Sequence, residues 1–154
     1  PGHLCFVEED RGLLFSGDHM LPRISPNIST IPGELENPLH RYLLSLEATT
    51  TLGECEVLPA HEYRFRGIAD RARQLMGHHE ERLAEIVAAV QDEPESTAWE
   101  LSRTISWSRP FEQMSPRLLR LAVRETQAHL VVLAKREIVT PSGGTPVRWS
   151  IRAQ

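Results

Sequence analysis

Three residues able to bind a metal stand beside apolar runs and close to glycine or proline: His3, Asp18 and His61. His3 follows Pro1-Gly2 and precedes Leu4-Cys5-Phe6-Val7. Asp18 follows Phe15-Ser16-Gly17, and His61 follows Val57-Leu58-Pro59-Ala60. Neutral imidazole nitrogen and carboxylate oxygen are donors that zinc and its neighbours accept, and a carboxylate can bridge two ions. Loops at strand ends would let a rigid sheet aim all three at one point. The competing reading is bland: with seven histidines in the chain, three near turns can arise by chance.

The elements that must hold these residues follow from pattern. Leu4–Val7 and Leu13–Phe15 read as two strands buried on both faces, with Glu9-Asp10-Arg11-Gly12 as the hairpin turn. Residues 20–36, with Pro22, Pro26, Pro32 and Gly33, read as a loop. That loop follows Asp18 directly, so Met20, Arg23, Asn27 and Ser29 are candidates to touch a substrate. Asn37-Pro38 opens a helix striped by Leu39, Tyr42, Leu43 and Leu46, with Gly53 as its stop. Cys55–Leu58 is a strand leading to His61. A long helix runs from Ile68 to about Val90, and its vicinal His78 and His79 point too far apart to share an ion. They are expected on the surface or in helix packing.

The tail is a second pattern. Thr97-Ala98-Trp99-Glu100 reads as a capping box opening a short helix. Ser115-Pro116 opens a longer one, with an apolar face of Leu118, Leu119, Leu121, Ala122, Leu130 and Leu133. Ile138–Thr140 and Val147–Ile151 flank a glycine-rich turn as a hairpin. Helix, helix, hairpin is a winged-helix order. Trp99, Trp107 and Trp149 are expected as its core anchors, and His129 as a packed core histidine. Arg117, Arg120 and Arg124 suggest DNA, but Glu125 opposes it and base-reading partners are few, so no specific DNA is expected.

Composition is that of an ordinary soluble globular protein, with 40% hydrophobic and 25% charged residues. No apolar run is long enough to cross a bilayer. Cys5 and Cys55 make no disulfide framework, which favours buried thiols in a reducing cytoplasm. Residues 1–93 hold 8 Lys/Arg against 16 Asp/Glu, and residues 94–154 hold 9 against 5. This asymmetry supports a boundary near Asp92-Glu93-Pro94-Glu95.

Pro1-Gly2-His3, Phe15-Ser16-Gly17-Asp18 and Leu58-Pro59-Ala60-His61 resemble, in order and spacing, the later metal motifs of the metallo-β-lactamase fold hydrolases. The resemblance is to the branch with a winged-helix tail, which includes glyoxalase II-like and endoribonuclease-like members. It implies an α/β fold, the second half of an αββα domain, followed by a small α+β winged-helix domain. The implied domains are 1–77, a linking helix 78–93, and 94–154. It implies zinc, two ions in the intact parent: His3 on the first, Asp18 bridging, His61 on the second. His19, Arg23 and Asn27 would reach the substrate or support the ligands. The family's first motif, His-x-His-x-Asp-His, is absent, so the chain reads as a C-terminal portion. The last motif, usually Pro-Gly-His-Gly, here reads Pro59-Ala60-His61-Glu62, and Ala60 is expected to restrict the turn.

The implied chemistry is hydrolysis by a metal-activated water. A small-molecule thioester or other acyl substrate is the first expectation for the parent. An RNA or DNA phosphodiester is the alternative, which the acidic balance of residues 1–93 disfavours. A third reading is a non-catalytic winged-helix interaction module. The chain itself, with three ligands, is expected to be inactive. Its two apolar strands, left without the rest of a layered domain, are expected to be covered in a homo-oligomer that buries residues 1–16.

Overall fold

Gly12, at φ +61°, reverses the chain between two short strands. The computed structural model describes residues 3–30 and 37–153, so Pro1, Gly2, Pro32 and Gly33 of the sequence motifs lie outside the described residues. Strand β1 (Phe6–Glu8) pairs antiparallel with β2 (Leu13–Gly17), setting Phe6 opposite Phe15. Strand β3 (Glu56–Pro59) adds to β2 in parallel, setting Leu14 opposite Val57. The sheet order is β1-β2-β3. Helix α1 (Pro38–Thr49) lies between β2 and β3 in the chain, the βαβ order that parallel pairing requires.

Burial alternates along β2: Leu14 and Ser16 are inside, while Phe15 is 44% exposed. With Leu4 at 70% and Phe6 at 63%, the outer face of the hairpin is open. The expectation of burial on both faces is therefore corrected for this chain. Its apolar run covers a core on one side only.

Helix α1 starts as expected, with the Asn37 side chain accepting from the backbone N–H of Leu39 at 2.8 Å. Its end does not depend on Gly53. Thr49, Thr50 and Thr51 each donate a hydroxyl to the carbonyl three residues back, and the helix stops at Thr49. Helix α2 (Ile68–Asp92) buries Ile68, Ala72, Leu75, His79, Leu83, Ile86 and Val90, one stripe at three- and four-residue steps. Gly77 has open space where a side chain would go, so no close contact explains it.

The described chain divides into two compact units, residues 1–26 with 42–78, and residues 27–41 with 79–154. The second unit carries the tail pattern. Strand β4 (Ser96–Thr97) leads into α3 (Ala98–Thr104), then α4 (Pro116–Lys135), then the hairpin β5 (Val139–Pro141) and β6 (Arg148–Ile151). The sheet order is β4-β6-β5. The capping box forms in full: Thr97 accepts from the Glu100 N–H, and the Glu100 carboxylate accepts from the Thr97 N–H at 2.7 Å. Thr97→Ala is expected to cost about 1 kcal/mol in chemical denaturation, because one orphan N–H loses its acceptor.

Two expectations for this unit are corrected. Trp149 is buried as an anchor, but Trp99 is 46% exposed and meets Phe111 edge-on. Trp107 is half-buried, donating its indole N–H to the Ser102 carbonyl under the Arg82 guanidinium. On α4 the buried stripe starts at Ala122 and takes in Glu125, Thr126, Ala128, His129, Leu130, Val132 and Leu133. Leu118, Leu119 and Leu121 of the first turns are not in it.

Candidate metal centre

Asp18 sits just past β2, in a turn tied down from three sides. The His19 N–H donates to the Ser16 carbonyl at 3.0 Å, and the Ser16 hydroxyl donates to the Met20 carbonyl at 2.9 Å. The Tyr42 hydroxyl donates to the His19 carbonyl at 3.0 Å. Apolar Met20 and Leu21 then drop into the core of the first unit. This bracing leaves the Asp18 side chain half-exposed at the sheet edge.

The three sequence-derived ligands meet in pairs. Nδ1 of His61 lies 2.6 Å from Oδ1 of Asp18. The Asp18 backbone N–H donates to Nε2 of His3 at 3.1 Å. Gly17 makes room for the second contact: it adopts φ +53°, and a Cβ there would stand 1.9 Å from Nε2 of His3. The β2–β3 ladder joins the two loops, since the Ala60 N–H donates to the Gly17 carbonyl at 2.9 Å. Two imidazoles and a carboxylate are donors zinc takes, and Gly17 provides a cradle for one ring, so the residues fit part of a metal shell. Among the described residues no group of three or more His, Cys, Asp or Glu is placed to hold a metal ion.

His19 turns away from this edge. It is 8% exposed, edge-on to Tyr42 at 5.1 Å, with Nε2 3.3 Å from the Ser45 hydroxyl. Burial holds its imidazole below the usual range, and the nearby His3 acts in the same direction. Arg23 binds the neighbour of His61: its Nε donates to the Glu62 carboxylate at 3.0 Å and its backbone N–H to the same group at 3.2 Å. Asn27 belongs to the second unit, where its amide donates to the Glu125 carboxylate and its carbonyl accepts from Ser29.

Two features of the site were not legible in the sequence. Arg71 on α2 donates to the carbonyls of Leu21 at 2.7 Å and Ile24 at 2.9 Å, clamping the chain that follows Asp18. An arginine next to an apolar stripe position is the only signal it gives. The other is where the His61 turn is strained. Ala60 is not in the left-handed region; Glu62 is, at φ 72°. The strain falls one residue after the histidine, and the Arg23 contacts hold it there. Glu62→Ala, which keeps the strain and removes the bridge, is expected to destabilise the fold by about 1 kcal/mol. Glu62→Gly, which removes both, is expected to come out near neutral in the same denaturant titration.

The chain has close structural counterparts. A beta-lactamase domain protein from Burkholderia ambifaria superposes with a TM-score of 0.86 at 32% sequence identity, covering 97% of this chain and 44% of that one. A metallo-beta-lactamase family protein from Thermus thermophilus superposes with a TM-score of 0.81 at 33% identity, covering 98% of this chain and 46% of that one. No family model and no curated protein matches the sequence. The chain spans less than half the length of both structural counterparts. Its fold is thus that of part of a metallo-beta-lactamase domain protein.

Proposed function

We propose that the chain is a C-terminal portion of a zinc-dependent hydrolase of the metallo-β-lactamase superfamily, with His3, Asp18 and His61 as its share of the metal ligands. The observation that carries this reading is the Asp18 contact pair, its carboxylate on the His61 ring and its backbone N–H on the His3 ring. Bound zinc would lower the pKa of a water and polarise the bond to be cleaved. The chain's own residues contribute orientation: Gly17 seats His3, the Tyr42 and Ser16 hydroxyls brace the Asp18 turn, and Arg23 with Glu62 fixes the His61 turn. A thioester or other acyl bond in a small molecule is the preferred substrate of the whole enzyme. The alternative is an RNA or DNA phosphodiester, which the acidic balance of residues 1–93 disfavours.

With three donors, the chain alone is proposed to bind zinc weakly and to hydrolyse nothing. The β4-β6-β5 sheet with α3 and α4 is read as a winged helix that accompanies the catalytic part. It is read as having no DNA target of its own. No described helix is long and apolar enough to cross a membrane, and a cytoplasmic setting is proposed with the free thiols of Cys5 and Cys55.

Zinc titration against a chromophoric chelator tests the ligand set. Asp18→Ala and His61→Ala are each expected to weaken zinc binding about tenfold or more. Unchanged affinity in both would remove the metal assignment. A thioester assay on the chain with added zinc, beside the longer parent, separates the inactive portion from a self-sufficient enzyme.

The open face of Leu4, Phe6 and Phe15 is proposed to be covered by a second copy across the β1 edge. Sedimentation is expected to show concentration-dependent association that Phe6→Glu abolishes; a clean monomer at high concentration would refute it.

A further inference from the structure

The first two turns of α4 leave apolar and basic side chains outside the core of the second unit. Leu119 and Val123, one turn apart, line an open groove of about 430 Å³ with Trp99 of α3. Arg120 and Arg124, also one turn apart, line it as well. Leu118 beside it is 36% exposed. Trp99 is held in place by Phe111, with ring centroids 5.5 Å apart. No acidic residue lines the groove.

The charge of these arginines is uncompensated. Elsewhere in the unit Arg136 meets Glu80 at 2.6 Å, Arg148 meets Glu100 at 3.6 Å and Arg152 meets Glu137 at 2.7 Å. Arg117, Arg120 and Arg124 are exposed and, among the described residues, make no ion pair. Glu125, adjacent in sequence, does not neutralise them, because its carboxylate is buried against Asn27. An aromatic ring, aliphatic side chains and guanidinium groups without ion-pair partners in one groove select a partner with apolar side chains flanked by carboxylates.

We infer that the groove between Trp99 and the first turns of α4 docks an acidic amphipathic segment of a partner protein. Its lining residues on α4 run from Pro116 to Arg124, about two helical turns or roughly 13 Å. That suits a short helical peptide better than a small ligand, which is usually enclosed on most of its surface. Trp99 and Leu119 take the apolar side chains, and Arg120 and Arg124 pair with carboxylates on either side.

The test uses fluorescence anisotropy with three labelled probes. One is a peptide of about 12 residues with leucines at helical spacing and glutamates between them. The second has lysine for each glutamate, and the third is a single-stranded oligothymidylate. The acidic peptide is expected to bind, more weakly as salt rises. Arg120→Glu with Arg124→Glu is expected to reduce its affinity about tenfold or more, and Trp99→Ala several-fold. Arg120 and Arg124 are exposed, so the arginine variants are expected to melt like the parent; Arg120→Gln with Arg124→Gln repeats the test without added repulsion. Equal binding of the lysine peptide, indifference to the arginine changes, or tighter binding of the oligothymidylate would each overturn the proposal. So would sedimentation showing that the same arginine changes abolish self-association while the acidic peptide does not bind, since the occupant would then be a second copy.

Discussion

Stability of the protein is expected to fall by about 3 kcal/mol as the pH rises from 4.5 to 7, through one buried carboxylate. Glu125 lies on the inner face of α4, 8% exposed, with the Arg82 charge and, more weakly, a hydrogen bond from the Asn27 amide favouring its ionised form. Burial pushes its carboxyl up from the usual 4.5 to about 7 despite both. Below pH 4.5 folded and unfolded chains both hold the proton, and the contribution is fully present. Between 4.5 and 7 the unfolded chain releases its proton while the folded chain keeps it, so unfolding gains about 1.4 kcal/mol per pH unit. Above 7 both are ionised and the loss is complete. Glu125→Gln keeps the shape and an acceptor for Asn27 but cannot ionise. The variant is expected to lack this slope, and to exceed the parent's stability at pH 8 by about 2–3 kcal/mol relative to their difference at pH 4.5. Urea denaturation of both proteins at the two pH values checks it. Parallel pH dependences would show that Glu125 ionises at an ordinary pH.

Gly17→Ala is expected to damage the proposed zinc site more than the fold. The backbone there is left-handed, which costs a residue with a Cβ about 1 kcal/mol or more. The added Cβ would also stand 1.9 Å from Nε2 of His3, and the imidazole is the part that can move. His3 is then driven off the Asp18 N–H, and zinc affinity is expected to fall about tenfold or more. Denaturant unfolding reads the first effect and chelator competition the second. Adding His3→Ala separates them, because the backbone cost persists while the effect of Gly17→Ala on zinc vanishes. A full zinc effect without His3 would show that the glycine acts through another residue.

Parts of this protein could be read from neighbouring residues alone. The Gly12 turn, the Asn37 and Thr97 caps, the Ser115-Pro116 helix start and the stripe on α2 all appear where pattern places them. Each depends on groups a few residues apart, so local spacing contains the needed physics. The approach of His61 to Asp18 was also legible, because the two residues follow the ends of the paired strands β3 and β2. His79 could have been placed too, since it fills the step between Leu75 and Leu83; its Nδ1 lies 3.1 Å from Nε2 of His129, which packs in the core as expected.

Sequence by itself determined the element order and the capping. Tertiary structure decided which polar groups are buried and what they touch. Glu125 reads as a surface charge opposing DNA, yet it is buried against Asn27, 98 residues away in sequence. Arg23 reads as a substrate contact, yet its side chain is spent on Glu62, 39 residues away. Whether the second face of the β1–β2 hairpin is covered likewise depends on what lies against it. Local pattern sets which groups a segment offers, but their desolvation and partners depend on distant segments that only folding brings together.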